Sequence, residues 1–362
     1  MVIPAQVRTM SDEALPGATL HAVDERVERT LLELSQMWDE LAGRSADVLG
    51  ERDLPWLIRH ASGGGKRIRP EMVHWGWVAA GAPESAREQV IDLGAAFELL
   101  HLFALVHDDV MDRSELRRGQ FTSHAIAREA HIAANAQGDP VAFGDSIAML
   151  VGDLVHSEAT LLVAELPAQV RTAWRQMMVE LVLGQRRDLT GAALGRRDQE
   201  HALEVARMKS GSYTVWGPLR MGAILGDASP GLLGSLDRYA QHAGEAFGLR
   251  DDLLGMWGDP DRTGKSDHDD LAAGKATVLL ALANDRLTSD GQQLLARAGS
   301  LSPQEETRLR EEMSGCGVRE AVEDLITREV HQACAALDPD LVSAEAVTGL
   351  TDIAHRLAWR LS

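Results

Sequence analysis

Apolar residues recur with a helical period along most of this chain, and no segment shows the convincing apolar–polar alternation of a strand. The period predicts helices over residues 22–49, 87–107, 144–163, 171–189, 200–208, 232–257 and 277–283. Prolines, which interrupt helices, are predicted to lie between them, at Pro70, Pro83, Pro140, Pro167, Pro230 and Pro260. The pattern therefore predicts an all-α protein built as a bundle of helices.

The bundle is predicted to form a single domain over residues 21–362, because no repeat or low-complexity linker divides the chain. Its 362 residues, 45% of them hydrophobic, are enough to bury one large core. Residues 1–20 are polar and contain proline and glycine, which predicts a mobile N-terminal segment. The strongly charged stretch 285–320 is expected to form a peripheral helical insertion.

Charge and cysteine content indicate the compartment and exclude some partners. The chain has 55 Asp and Glu against 36 Lys and Arg, and the net charge of −19 would repel nucleic acid and anionic membranes. Two cysteines do not make a disulfide framework, and the N-terminus lacks a signal-peptide pattern. No stretch is expected to approach the length of a membrane span. These features predict a cytoplasmic protein that binds no nucleic acid and does not insert stably into membranes.

Two acidic clusters lie far apart in the chain, each at the end of an apolar run. They are Asp108-Asp109-Val110-Met111-Asp112 and Asp251-Asp252-Leu253-Leu254-Gly255, the second followed by Asp259. On a helix, Asp108 and Asp112 share one face, so their carboxylates repel each other unless a cation lies between them. Hard divalent cations such as Mg²⁺ take oxygen ligands and often join carboxylates to substrate phosphates. Two facing clusters would hold a diphosphate through bridging metal ions.

The residues before each cluster argue against the ordinary alternative, a solvated acidic helix end. Residues 99–106 and 244–249 are apolar enough to be buried. Acidic pairs that emerge from buried helices are costly without a partner. Two of them in one chain therefore favour a shared metal site.

Basic residues stand where a diphosphate would need them. The segment Gly63-Gly64-Gly65-Lys66-Arg67-Ile68-Arg69-Pro70 combines a glycine turn with three cations. Glycines let the backbone approach an anion, and Arg and Lys bind phosphate oxygens. Further basic segments follow at 113–119, 209–211, 264–265 and 274–277. The glycine turn lacks the spacing of a P-loop and no β-rich segment precedes it, which excludes nucleotide binding of that kind.

These motifs together resemble the trans-isoprenyl diphosphate synthases of the polyprenyl synthetase family, most of all bacterial geranylgeranyl diphosphate synthases. The matching segments are GGGKRIRP at 63–70, LLHLFALVHDDVMDRSELRRG at 99–119, ARMKSGSYT at 206–214 and FGLRDDLLGMWGDPDRTGKSDHDDLAAGKAT at 247–277. The resemblance implies the isoprenoid synthase fold, a bundle of long antiparallel helices around a central cavity, usually as a homodimer. It implies condensation of isopentenyl diphosphate with an allylic diphosphate, with Mg²⁺, or Mn²⁺ as an alternative.

The resemblance also assigns a role to each matching residue. The implied metal ligands are Asp108, Asp109, Asp112, Asp251 and Asp252. The implied contacts to the allylic diphosphate are Arg117, Lys209 and Lys265, with the Ser210 hydroxyl beside them. The implied contacts to isopentenyl diphosphate are Lys66, Arg69, His101 and Arg118, while Lys275 would support the end of the second motif. The metal-binding aspartates, Lys209 and Lys265 are the residues implied in catalysis.

Some positions allow a second interpretation or depart from the family pattern. His101 could equally be a satisfied core residue, and only the resemblance makes it a ligand. His107 is interpreted as structural, and a Gln185–Asp188 pair resembles a cavity lining of the family. Three positions depart from the common pattern: Gly248 stands where Gln is frequent, Gly255 is not acidic, and Ser210 replaces Thr.

The two residues before the first acidic motif are expected to set product length. Ala104 lies one turn before Asp108 on the same stripe, and Phe103 lies beside it. A small Ala104 leaves room for more than fifteen carbons, while Phe103 obstructs a long tunnel, so geranylgeranyl diphosphate is the predicted product. Farnesyl or longer products, a terpene cyclase of the same fold, and a partner subunit of a heteromeric synthase stay open as alternatives.

Overall fold

The computed structural model describes residues 16–42, 47–258 and 275–360, and most of them are helical, which confirms the all-α prediction. The helices are α1 Gly17–Ala42, α2 Leu54–Ser62, α3 Ile68–Ala79, α4 Arg87–Met111, α5 Ser123–Ala133, α6 Pro140–Ala164, α7 Ala168–Ala193, α8 Gln199–Val205, α9 Gly217–Leu225, α10 Pro230–Trp257, α11 Val278–Asn284, α12 Ser289–Ala296, α13 Pro303–Gly315, α14 Val318–Ala336 and α15 Ala344–Ala358. A 3₁₀ turn, Glu84–Ala86, precedes α4. Between α8 and α9, Ala206–Trp216 forms a π-helix, here called the π segment.

Local chemistry explains where several long helices begin. Pro140 and Pro230 each occupy the first helical position, where the missing N–H costs nothing. The side chains of the preceding Asp139 and Ser229 accept backbone hydrogen bonds from the first turn. Pro70, by contrast, is the third residue of α3 and lies inside a helix, which corrects the prediction that it falls between helices.

The core forms where α4 crosses the middle of the bundle. This helix packs against α6, α3 and α1, while α10 packs against the π segment on one side and α14 on the other. Phe97, Leu99 and Leu100 of α4 are fully buried. Small residues permit the closest crossings: a Cβ on Gly184 of α7 would lie 2.5 Å from the backbone nitrogen of Lys209. This close crossing brings α7 onto the π segment.

Several predicted boundaries are corrected by the structure. Helix α1 begins at Gly17 and ends by Ala42, so residue 49 is not helical, and the predicted mobile segment 1–20 overlaps α1. Residues 1–15 lie outside the described residues. Helix α4 continues four residues beyond 107, and the predicted helix 200–208 passes into the π segment. A two-stranded hairpin, β1 Leu116–Arg117 and β2 Gln120–Phe121, was not predicted. Residues 285–320 are largely helical, as expected.

Two helices are long and apolar enough to cross a membrane by length and composition, which corrects the expectation that no stretch approaches that length. They cover Glu84–Met111 and Pro140–Ala164, whose most apolar windows are 61% and 33% buried within the fold. The first is the central core helix. The second, α6, leaves much of its apolar surface exposed on this chain.

Candidate active site

The first acidic motif lies at the C-terminal end of α4. Asp108 and Asp109 belong to the last turn, and Asp112 follows the helix with its N–H donating to the Asp108 carbonyl at 2.8 Å. Asp109 is buried, while the other two carboxylates are partly exposed. The apolar run before the motif lies largely in the core, so burial of that run fixes the direction in which the carboxylates emerge.

Each carboxylate of this motif has its own cation. Lys209 Nζ lies 3.2 Å from Asp108 Oδ1. Arg117 Nε donates to Asp109 Oδ1 at 2.7 Å, and Lys275 Nζ donates to Asp112 Oδ2 at 2.7 Å. These cations supply the charge compensation that stacked carboxylates require. The same three cations are predicted to bind phosphate, and they lie beside the predicted metal ligands.

The cations do not affect the two partly exposed carboxylates equally. Burial opposes ionisation of Asp108, but the charges of Lys209 and Lys275 outweigh it and hold the pKa of Asp108 below its ordinary value. Burial raises the pKa of Asp112 against the opposing charge of Lys275, and the nearby Asp108 adds to the rise. Asp108 is therefore the more firmly ionised member of the pair.

Lys209 is the bridge between the first motif and helix α7. Besides contacting Asp108, its Nζ donates to Asp188 Oδ2 at 2.8 Å. Burial would lower the pKa of Lys209, but the charges of Asp108 and Asp188 outweigh burial and raise it. Asp188 is itself buried, so it anchors the lysine in one position. Ser210 follows Lys209 in the π segment and is half-buried.

The two arginines after the first motif are presented by the β hairpin. Arg117 pairs with Gln120, and the two residues between them, Arg118 and Gly119, have φ of +54° and +74°. Positive φ at both positions is the geometry of a tight two-residue hairpin turn. The turn directs Arg118 towards the glycine loop, where its Nη1 donates to the Gly63 carbonyl at 2.6 Å.

A second basic pocket forms where α3, α4 and the π segment meet. Arg69 Nη2 donates to Thr214 Oγ1 at 2.9 Å, and its guanidinium lies 4.3 Å from the centre of the Tyr213 ring. Arg69 Nε is buried without a hydrogen-bond partner in the described part of the chain. The Tyr213 hydroxyl lies 3.4 Å from His101 Nδ1. Burial lowers the pKa of His101 well below its usual value, and Arg69 and Arg118 lower it further. His101 is thus a neutral imidazole among cations.

Lys66, at the end of the glycine loop, lies in the electrostatic field of the second acidic motif. Partial burial and the charge of Arg360 lower the pKa of Lys66, and the charge of Asp251 opposes them. Arg360, just beyond α15, forms an ion pair with Asp251 and lies 4.1 Å from the centre of the Phe247 ring. Sequence reasoning missed Arg360, because nothing local marks a residue 109 positions from its partner.

The segment 275–278, which leads into α11, contacts both acidic motifs. Asp252 Oδ2 accepts a hydrogen bond from the Val278 N–H at 3.1 Å. Three residues earlier, Lys275 is bound to Asp112 of the first motif. The described contact of Lys275 is with the first motif, and its support of the end of the second motif stays a prediction. Residues 275–278 bring both aspartate clusters into one site.

The remaining predicted positions fall outside the described residues or have a packing explanation. Lys265 and Asp259 lie outside them. Gly248 is buried on α10, where a Cβ would lie 3.2 Å from the Ala206 Cβ, so a larger residue would need the π segment to shift. The structure gives no reason for Gly255.

The predicted chain-length residues face different neighbours. Ala104 is half-buried on the stripe of α4 that leads to Asp108. The Phe103 ring instead lies between His107 and His156 of α6, with centroid distances of 4.6 and 4.9 Å. His107 Nε2 lies 3.2 Å from the Met149 carbonyl, a contact that suits the structural role predicted for it.

Comparison with known proteins gives the same picture. A model of the polyprenyl synthetase family matches residues 54–314. Geranylfarnesyl diphosphate synthase of Aeropyrum pernix is 33% identical over 229 residues, which are 61% of this chain and 66% of that relative. Octaprenyl diphosphate synthase of Escherichia coli is 30% identical over 303 residues, 81% of this chain and 86% of that protein.

Similarity extends to three dimensions. The crystal structure of geranylgeranyl pyrophosphate synthase from Corynebacterium glutamicum, complexed with isoprenyl diphosphate and magnesium, superposes with a TM-score of 0.86 at 34% identity, covering 94% of this chain and 98% of that one. The names of these three proteins specify different product lengths, so similarity alone does not fix the product. The chain belongs to the polyprenyl synthetase family and is a trans-prenyltransferase that elongates an allylic diphosphate with isopentenyl diphosphate.

Proposed function

We propose that this enzyme makes geranylgeranyl diphosphate at the site described above. The observation that carries the assignment of the site is the segment 275–278, which contacts Asp112 through Lys275 and Asp252 through Val278. Because both aspartate motifs contact this one segment, they suit a substrate whose diphosphate is bound by metal ions between the motifs. Farnesyl diphosphate and longer chains are the alternative products.

The five aspartates of the two motifs suit Mg²⁺, with Mn²⁺ as an alternative. All five offer carboxylate oxygens, the ligands that hard divalent cations prefer. Lys209, Arg117 and Lys275 already occupy positions beside the first motif where positive charge is needed. When bound, the ions act as Lewis acids on the departing diphosphate.

Two sets of basic residues would bind the two diphosphates. On the allylic side these are Arg117, Lys209 and Lys265, with the Ser210 hydroxyl and Lys275 nearby. On the isopentenyl side they are Lys66, Arg69, Arg118 and His101. The orphaned Arg69 Nε supports the second set, because a buried guanidinium N–H without a partner is costly unless a ligand accepts from it. A neutral His101 can donate one hydrogen bond without adding charge.

The remaining work of the protein is orientation and exclusion of water. The allylic cation left when the diphosphate departs must meet the double bond of isopentenyl diphosphate before water reaches it. The buried face of α4 and the close crossing of α7 with the π segment hold the side chains of the site in place. Small Ala104 would admit a growing chain beside Asp108, while Phe103 is packed against α6. These features support a twenty-carbon product.

We also propose that the enzyme is a homodimer in the cytoplasm, with α6 and α7 at the interface. The large apolar side chains exposed on α6 are Val141, Met149, Leu150 and Leu161, and those on α7 are Val179, Val182, Leu183 and Leu189. Large apolar side chains left exposed on two neighbouring helices suit an interaction site. Light scattering would report the dimer mass, whereas binding to lipid vesicles by a monomer would favour a membrane role for α6.

The test of activity uses purified protein with Mg²⁺ and an allylic diphosphate, with and without isopentenyl diphosphate. A twenty-carbon product formed only with both substrates supports the proposal. A cyclic hydrocarbon formed without isopentenyl diphosphate would indicate a terpene cyclase instead. Turnover only after addition of a second protein would indicate a subunit of a heteromeric synthase.

A further inference from the structure

A second group of metal-binding side chains lies away from the diphosphate site, between α10 and α14. His242 and Glu245 are three residues apart on one face of α10, and Glu329 faces them from α14. Each side chain offers one ligand atom, and these atoms lie within 4.8 Å of one another. The group has no described contact with either aspartate motif. From this arrangement we propose that His242, Glu245 and Glu329 bind a zinc ion that fastens α10 to α14.

The packing of these two helices shows why this group differs from its neighbours. Polar contacts recur along the pair: Ser235 Oγ donates to the Ala336 carbonyl at 2.7 Å, and Arg250 Nη1 donates to Glu323 at 2.9 Å. Each of those contacts matches one donor group with one acceptor group. Between those two contacts, His242 faces the carboxylates of both Glu245 and Glu329. One histidine can match only one negative charge, so the second carboxylate is left without a matching charge within the group.

The contacts within the group leave that excess in place. His242 Nδ1 lies 2.8 Å from Glu329 Oε2, in the geometry of a hydrogen bond. Burial raises the pKa of Glu245, and the charge of Glu329 raises it further. Gln241 donates to Glu245 only at 3.4 Å. A cation between the carboxylates would remove their repulsion.

Two arginines also face the group and offer partial compensation. The charge of Arg207, in the π segment, lowers the pKa of Glu245 but ranks last among the influences on it. Arg328 Nε lies 3.8 Å from Glu329 Oε1, too far for a hydrogen bond, and the arginine side chain is 58% exposed.

The ligand set favours zinc over the magnesium of the catalytic site. Imidazole nitrogen with carboxylate oxygen suits Zn²⁺, whereas Mg²⁺ seeks oxygen ligands alone. A tetrahedral ion with ligands at about 2.1 Å would separate its ligand atoms by about 3.4 Å. Ligation would require His242 Nδ1 and Glu329 Oε2 to move slightly apart from 2.8 Å and the half-exposed Glu245 side chain to turn towards them. Three protein ligands leave the fourth position to water.

The test measures zinc binding by tag-free protein in excess Mg²⁺ and without any diphosphate. We expect one zinc equivalent in the wild type that is lost in His242→Ala, Glu329→Gln and Glu245→Gln. Glu245→Gln replaces a half-exposed side chain by one of nearly the same shape, so this variant should fold. Its zinc content can therefore be measured even if another variant folds poorly. His331→Ala, which removes an exposed histidine of α14, is the matched control and should bind zinc as the wild type does.

Two further readouts separate this site from other zinc ligands. Zinc bound by Cys316 or Cys334 would survive in His242→Ala, so only the difference between the proteins counts. Zinc about 100-fold above its Kd should raise the wild-type Tm by roughly 3 °C or more and leave that of His242→Ala unchanged. Turnover with Mg²⁺ should be the same in both. Equal zinc content in wild type and His242→Ala, or none in either, would show that the group is an ordinary histidine–glutamate ion pair.

Discussion

Lys209 Nζ lies 3.2 Å from Asp108 Oδ1 and holds that carboxylate ionised at the mouth of the proposed site. The lysine is itself anchored by buried Asp188, so its position does not depend on Asp108. An ionised carboxylate next to an anchored cation is a preorganised arrangement: the carboxylate would accept a metal ion while the lysine, still bonded to Asp188, would donate to a phosphate oxygen.

The first prediction concerns the two acidic motifs. Asp108→Asn and Asp252→Asn should each lower kcat about 100-fold or more, because loss of one preorganised charge contact typically costs about 3 kcal/mol in the transition state. The free energy of unfolding of Asp108→Asn should change by no more than about 1 kcal/mol, because Lys209 keeps its bond to Asp188.

Steady-state kinetics and chemical unfolding measure the two quantities separately. Asp39→Asn, on the exposed face of α1, removes the same charge far from the motifs and should leave kcat unchanged. Near-normal turnover in both motif variants would mean that the aspartates hold no catalytic metal.

The second prediction concerns the proposed isopentenyl site. Arg69→Lys keeps the positive charge but loses the planar guanidinium, which donates to Thr214 and stacks on the Tyr213 ring. The KM for isopentenyl diphosphate should rise about 10-fold, equivalent to about 1.4 kcal/mol, while the KM for the allylic substrate changes less. Exposed Arg238→Lys is the control. Equal increases for both substrates would refute the division of the basic residues into two sets.

The third prediction concerns product length. Ala104→Phe should shift the main product from twenty to fifteen carbons, because the new ring fills the stripe below Asp108. Phe103→Ala removes the ring between His107 and His156 and should lengthen the product. Chromatography of the dephosphorylated products measures both effects. If neither variant alters the distribution, another part of the cavity limits the chain.

The fourth prediction follows from the lowered pKa of His101. Below about pH 6.5, His101 is protonated in the unfolded chain but stays neutral in the folded chain. The free energy of unfolding therefore falls as the pH falls. The contribution of His101 to the free energy of unfolding is fully present above pH 6.5, and below that pH it declines by up to about 1.4 kcal/mol per pH unit. His101→Asn should therefore lose less stability than the wild type between pH 7 and pH 5.5. If the free energy of unfolding falls by the same amount in both proteins between pH 7 and pH 5.5, His101 titrates normally.

The first acidic motif could be predicted from the sequence because its geometry is local. Residues four apart on a helix share a face, and the apolar run before Asp108 marked α4 as buried. The same reasoning placed Asp251 and Asp252 on α10. The prediction needed no knowledge of neighbouring helices.

The contacts that complete the site are not local, and sequence periodicity could not reveal them. The hairpin that carries Arg117 and Arg118 has two residues per strand, too few to show a period. Arg360 pairs with Asp251, and Lys275 pairs with Asp112, each from a distant position in the chain. Each depends on how distant helices pack, which a helical period does not encode.

The π segment makes the length of the chain around Lys209 matter as much as its composition. A π-helix carries more residues per turn than an α-helix, and in the described structure this one passes directly into α9. Deleting one residue would let it rewind as an ordinary α-helix, and every later side chain would rotate by about 100°. Lys209 or Tyr213 would then leave its partner although no functional residue had been replaced. This stretch should therefore tolerate no single-residue insertion or deletion, even one that leaves every functional residue in the sequence.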